Sequence, residues 1–197
     1  MTYGVFDLIV RITALICIIV FSILIAFTVL KGPFEGGSAA SIVIHDLSRV
    51  CVIEGKVTPV RWKSIIIHHS GVSGESLEEI REHYSRMGFS RLPFHFLIFR
   101  NGKIQATRAW RRQERCEQTL DDYFNRTSIA VCVVGNFSKE ENAPLPAQMR
   151  SLRKLVRFLM RCFKIQKLDV LPCREVDDTT ESPGKYFPWM GFLRSLR

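Results

Sequence analysis

The residues best able to do chemistry in this chain lie in one run, Trp62-Lys-Ser-Ile-Ile-Ile-His-His-Ser-Gly71. Three consecutive isoleucines read as a short buried strand, and His68 and His69 fall where that strand runs out into a loop. A strand end holds an imidazole stiffly, so one neutral ring nitrogen can face a zinc ion while an acceptor fixes the other. The competing reading is a polar strand end that binds nothing. A His pair without spaced partners does not exclude it.

The chain around this run must supply both the partners and the elements that hold them. Ile42 to Ile44 reads as a short edge strand. A helix is expected from Leu77 to Met87, with Ser76 and Glu79 as a capping box, Leu77, Ile80, Tyr84 and Met87 on one face, and Gly88 as the stop. Phe94 to Phe99 reads as a strand that returns through the Asn101-Gly102 turn along Lys103 to Thr107. Ile129 to Val134 is apolar on both faces, which predicts a central strand covered by helices. Pro144 and Pro146 introduce a helix over Ala147 to Phe163. Its apolar face carries Met149, Leu152, Leu155, Val156, Leu159 and Phe163, and its other face carries Arg150, Arg153, Lys154, Arg157 and Arg161. That basic face reads as solvated surface or as a contact for an anionic polymer or membrane. Beyond Val170 the chain reads as loop, with Pro172, Pro183 and Gly184, and closes on Tyr186, Phe187, Trp189 and Phe192. An α/β domain with a mixed sheet flanked by helices is the economical architecture.

Composition separates this domain from what precedes it. The nineteen residues from Ile12 to Leu30, between Arg11 and Lys31, carry no charge and would span a bilayer core as a helix, so 1–31 is expected to be an uncleaved single-pass membrane anchor. Residues 32–40, rich in glycine, read as a linker, and 41–197 as the domain. Removing Arg11, Lys31, Asp7 and Glu35 from 28 basic and 19 acidic residues leaves 26 against 17, so the domain holds the whole net charge of +9. Such an excess suits an anionic partner. Nucleic acid is not the expected one, because zinc-finger spacing and RNA-binding aromatic signatures are missing. The six cysteines give no disulfide framework, and Cys132 and Cys162 read as small core residues.

In order along the chain, Ile65-Ile-Ile-His-His-Ser, Phe94-His-Phe-Leu-Ile with Asn101-Gly102, Ala109-Trp-Arg-Arg-Gln113, Ile129-Ala-Val-Cys-Val-Val-Gly-Asn-Phe, Pro146-Ala-Gln-Met and Ser182-Pro-Gly-Lys-Tyr-Phe-Pro resemble the zinc-dependent N-acetylmuramoyl-L-alanine amidases of the second class. The peptidoglycan recognition proteins share that fold. The resemblance covers about Arg61 to Pro188 and implies a mixed sheet flanked by helices, with a groove for glycan and stem peptide.

It also implies a zinc site held by the first histidine of the pair, a later histidine and a cysteine before Pro-Gly. Carried onto this chain, those positions are His68, Cys173 and Ser182. A serine hydroxyl stays protonated near neutral pH and is a poor zinc ligand, which leaves a set of two, His68 and Cys173. The family's assisting tyrosine falls on Phe94, and a further histidine position falls on Cys116, while Thr180 matches a position that contributes to catalysis. Asp177, Asp178, Glu181 or His95 would have to supply a third ligand for a rebuilt site. His69 and His95 are otherwise expected to line the groove or to be satisfied by local hydrogen bonds, and Phe94, Trp110, Arg111 and Arg112 to contact the ligand, with Trp110 equally readable as core.

Three functions follow from this reading. The first is a membrane-anchored protein on the cell-wall side that binds peptidoglycan or muropeptide and is hydrolytically impaired. The second is an active zinc amidase with a rebuilt ligand set. The third is an interaction module that docks an anionic partner through Arg150, Arg153 and Arg157.

Overall fold

The computed structural model describes residues 60–139 and 143–196, together with the strand at 42–44. All lie in the second of the two units, Met1–Gly37 and Ser38–Arg197, into which the chain divides. The expected membrane anchor lies outside the described residues. Among those described, no helix is long and apolar enough to cross a membrane.

Six strands form one sheet: β1 (Ile42–Ile44), β2 (Ser64–His69), β3 (Phe96–Ile98), β4 (Ile104–Ala106), β5 (Ser128–Val133) and β6 (Val170–Pro172), in the order β1-β4-β3-β5-β2-β6. β5 is central, parallel to β2 on one side and β3 on the other, and all six of its residues are buried. The hairpin turn expected at Asn101-Gly102 joins β3 to β4. Gly102 takes φ +84 and donates its amide to the Phe99 carbonyl, and a Cβ there would stand 3.0 Å from the Ala147 carbonyl. The sheet is therefore mixed, as the sequence predicts.

Alternation along the strands divides the core in two. Ile65, Ile67, Phe96, Ile98, Ile129, Val131 and Val133 face α4 (Pro146–Phe163) and α5 (Trp189–Ser195). Leu97, Ala130, Cys132 and Val134 face α1 (Leu77–Arg86) through its Leu77, Ile80 and Tyr84. Burying an isoleucine such as Ile65 or Ile67 stabilises the fold by about 2 kcal/mol relative to leaving it exposed. Two short helices, α2 (Arg108–Arg111) and α3 (Asp122–Thr127), and two 3-10 turns, Lys167–Asp169 and Cys173–Glu175, complete the described elements.

Several local expectations change. The stretch after Val170, read as loop, adds β6 alongside β2 and ends in α5, whose Trp189 and Phe192 pack with Phe187 into the core. Pro172 inside β6 marks that stretch as loop in the sequence, and the helix is too short for its periodicity to show. At α1, Ser76 Oγ accepts from the Glu79 amide, but the Glu79 carboxylate reaches back to the Glu75 amide instead of closing on the cap residue. Met87 is 59% exposed, off the apolar face, because the helix ends on it and the chain turns at Gly88 with φ +91. Cys162 is exposed rather than core, while Cys132 is buried in β5. Two basic residues of α4 are tied down: Arg153 Nε donates to Ser195 Oγ at 2.9 Å, and Arg157 to the Ser195 carbonyl.

Candidate functional site

A cavity of about 380 Å³ opens beside the C-terminal end of β2. Its walls come from the end of β2 (His68, His69, Ser70), the last turn of α1 (His83, Tyr84, Met87), Phe94 ahead of β3, the loop at Glu117 and Gln118, and the segment from Cys173 to Ser182. Ligands commonly bind outside the carboxyl ends of strands in sheets of this kind.

Alternation aims His68 at the α1 side of the sheet. It is 4% exposed, packs its ring 5.3 Å from that of Phe94, and places Nε2 2.8 Å from Gln118 Oε1. Gln118 Nε2 points to the Phe124 and Ser128 carbonyls, so its oxygen faces the imidazole and His68 Nε2 carries the proton that donates to it. Burial pushes the imidazole down to about 4 against the opposing pull of that hydrogen bond, so the ring is neutral near pH 7. His69 points to the other side, where Nδ1 accepts from the Phe137 amide at 3.2 Å, and burial lowers it too.

Cys173 sits at the end of β6 and is 2% exposed; burial, and then the Asp177 carboxylate, push its thiol up to about 12. Ser182 Oγ accepts the His69 amide hydrogen at 2.9 Å, so it serves as a backbone tie. The loop beyond it is clamped by close approach. Gly184 takes φ +107, and a Cβ on it would lie 2.4 Å from the Phe137 carbonyl carbon, which only glycine avoids. Thr180, the expected catalytic hydroxyl, lines the cavity and accepts from the Ser182 amide at 3.1 Å.

Among the described residues, no three His, Cys, Asp or Glu side chains converge as a metal site requires. His68 gives Nε2 to Gln118, and Ser182 Oγ accepts from the His69 amide. Asp177, the carboxylate nearest in character to a substitute ligand, accepts from the Leu120 amide through Oδ2 and from Thr179 through Oδ1. Burial pushes that carboxyl up, but these hydrogen bonds outweigh it and hold the group below its usual range. Asp178 and Glu181 are exposed and do not line the cavity.

Four candidate groove residues lie outside this cavity, His95 and Trp110 on the alternatives of local hydrogen bonds and core. His95 follows Phe94 and so points to the opposite side. It is fully buried, accepts from the Ala130 amide through Nδ1 and meets the Glu114 carbonyl through Nε2 at 2.8 Å. Trp110 is a core residue, 4.6 Å from Phe96 and 5.8 Å from Phe163 between ring centres. Arg111 is buried on the same short helix, and Arg112 is exposed beside Glu114 at 3.8 Å. None of the four lines the cavity.

Conversely, sequence reading missed His83, Tyr84, Met87, Glu117 and Gln118. Tyr84, assigned only to the apolar face of α1, stands edge-on to Phe94 at 5.2 Å and donates its hydroxyl to the Ser70 carbonyl at 3.3 Å. The cavity thus has a phenol, supplied by the helix. Burial raises its pKa, so it remains a neutral hydrogen-bonding group. Gln118 comes from a stretch with no periodicity. Its one signal was its short distance in sequence from the basic-aromatic run. The arrangement offers an apolar wall of Met87, Phe89 and Phe94 facing polar groups on Gln118, Asp177, Thr179 and Thr180, which suits a ligand with both amide and apolar surfaces.

A family model described as N-acetylmuramoyl-L-alanine amidase matches residues 58–185. An endolysin of Klebsiella phage KP32 is 32% identical over 98 residues, which is 47% of this chain and 62% of that protein. The chain therefore spans less than two thirds of the length of that curated relative. Among solved structures, the N-acetylmuramoyl-L-alanine amidase LysC from Clostridium intestinale is 27% identical with a TM-score of 0.61, covering 72% of this chain and 92% of that one. At 20% identity, where the likeness is one of fold alone, the chain is similar to Drosophila PGRP-LB in complex with tracheal cytotoxin, with a TM-score of 0.53 over 67% of this chain and 80% of that one.

Proposed function

This chain belongs to the N-acetylmuramoyl-L-alanine amidase family, and from that premise we propose that its cleft holds a peptidoglycan fragment, muropeptide or wall strand, without hydrolysing it through zinc. The observation that carries this reading is the state of the three ligand positions. Ser182 is committed to a backbone amide and Cys173 is a buried thiol, so His68, with Nε2 on Gln118, is the one position that keeps the family's residue type. Without a bound cation, no water is driven toward hydroxide and no Lewis acid polarises an amide carbonyl. Binding needs neither, since apolar contact with Met87 and Phe94 and hydrogen bonds to Gln118 and Thr180 suffice for an amphipathic ligand. That a protein of this fold holds tracheal cytotoxin supports a groove of this kind taking a muropeptide. In this reading residues 12–30 hold the domain at a membrane, on the cell-wall side.

The test is co-sedimentation of the full chain with insoluble peptidoglycan at physiological salt, followed by analysis of the supernatant. We expect the chain in the pellet, no stem peptide released, and weaker retention for Met87→Glu. A chain that stays in the supernatant contradicts the binding role. Chelator-sensitive release of stem peptide favours the second reading, an active amidase in which Asp177 completes a set with His68 and Cys173. The one observation on that side is that the Asp177 carboxylate acts electrostatically on both.

A further inference from the structure

Helix α4 carries five basic residues and no acidic one along Pro146–Phe163, and Lys164 and Lys167 follow it. Arg150, Lys154 and Arg161 are exposed, spaced four and seven residues apart, and so form one line along the helix that continues to Lys164. None of these four makes an ion pair among the described residues, whereas Arg91, Arg112, Arg115 and Arg126 all do. Like charges at such spacing repel one another, so the row costs stability unless something anionic meets it. At its end, in the turn Lys167–Asp169, Leu168 is 89% exposed. Arg153 and Arg157 bond to Ser195 and act as struts for α5.

The row has no part in the cleft. α4 covers the face of the sheet opposite to α1, and it is α1 that walls the cleft. A ligand in the cleft therefore leaves Arg150, Lys154, Arg161 and Lys164 untouched. We propose that this row, with Leu168 at its end, seats the domain on an anionic lipid surface, leaving the cleft facing away from the bilayer. Charge complementarity selects an anionic surface, and Leu168 selects lipid, because an apolar tip gains from entering the headgroup boundary and gains nothing on a hydrated polyanion. The inference concerns a different face from the muropeptide reading and stands apart from it.

Cys162, exposed next to Arg161, provides the probe. The full chain carrying Cys17→Ser and Cys51→Ser is mixed with vesicles of phosphatidylcholine alone, or with about one third phosphatidylglycerol, and labelled with a membrane-impermeant maleimide. We expect labelling to slow by about tenfold on the anionic vesicles only, with the rate restored by high salt and by Lys154→Glu/Arg161→Glu. Equal rates on the two kinds of vesicle would overturn the proposal. So would slowing by soluble polyphosphate equal to that by anionic vesicles, which would assign the row to a polyanion. Flotation with the neutral vesicles reads the apolar segment at 12–30 separately, so a failed anchor and a failed basic row give different results.

Discussion

At the scale of single residues, the cleft turns on what meets His68 and Ser182. A hydroxyl stands where the family resemblance puts a thiolate, and a thiol where it puts an imidazole. Beside them His68 Nε2 meets Gln118 and Ser182 Oγ accepts from the His69 amide. Reversing both positions tests whether the scaffold still remembers a metal: Cys173→His/Ser182→Cys should take zinc from near none to about one per chain, read by metal analysis after dialysis. His95 tests a different property. Its folded pKa is pushed by burial to about 4, below the ordinary 6.5, so the unfolded chain binds more protons and stability falls as pH drops from about 6.5 toward 4. The loss from this group is about 2 kcal/mol by pH 5, and His95→Gln should flatten that part of the stability-against-pH curve in denaturant titrations. An unchanged slope would show that the imidazole is already protonated in the fold.

At the scale of elements, two side chains hold the site's frame. Gln148, fully buried at the start of α4, donates to the Val134 carbonyl at 2.8 Å and the Ile98 carbonyl at 3.3 Å, and accepts from the Leu145 amide. Gln148→Leu strands those groups and should cost about 2–3 kcal/mol in urea unfolding. Gly184→Ala meets both a positive φ and the Phe137 backbone, and a loss of about 2 kcal/mol or more is expected, with Ser182 displaced from the His69 amide. These examples also show what sequence could and could not convey. β2 and β5 were legible as unbroken apolar runs, and α4 because eighteen residues are enough to display a helical period. β6 was not, since Pro172 within it reads as loop, and α5 was not, since seven residues carry too few positions to display a period. In the site, His68, His69, Phe94, Cys173, Thr180 and Ser182 were placed by motif order and do meet in one cavity. His95 and Trp110 take the alternatives left open for them, local hydrogen bonds and the core: His95 is one step from the cleft-side Phe94, and Trp110 sits on a four-residue helix that sequence alone does not orient. Gln118 and Tyr84 enter the cavity through tertiary packing, and no local pattern announces that.

At the scale of the whole molecule, the sheet separates two surfaces. The α1 side bears the cleft, and the α4 side bears the basic row. The net charge of +9 is therefore not a property of the ligand groove, where Glu117 and Asp177 supply the formal charges and no Lys or Arg is among the lining residues. What the molecule does depends on whether the cleft can grip a cation. Calorimetric titration of the metal-stripped full chain with zinc decides this most directly. The account predicts no saturable binding in the micromolar range and no cleavage of muropeptide at any zinc level reached. One zinc bound per chain, with release of stem peptide that rises in step with occupancy, would contradict it.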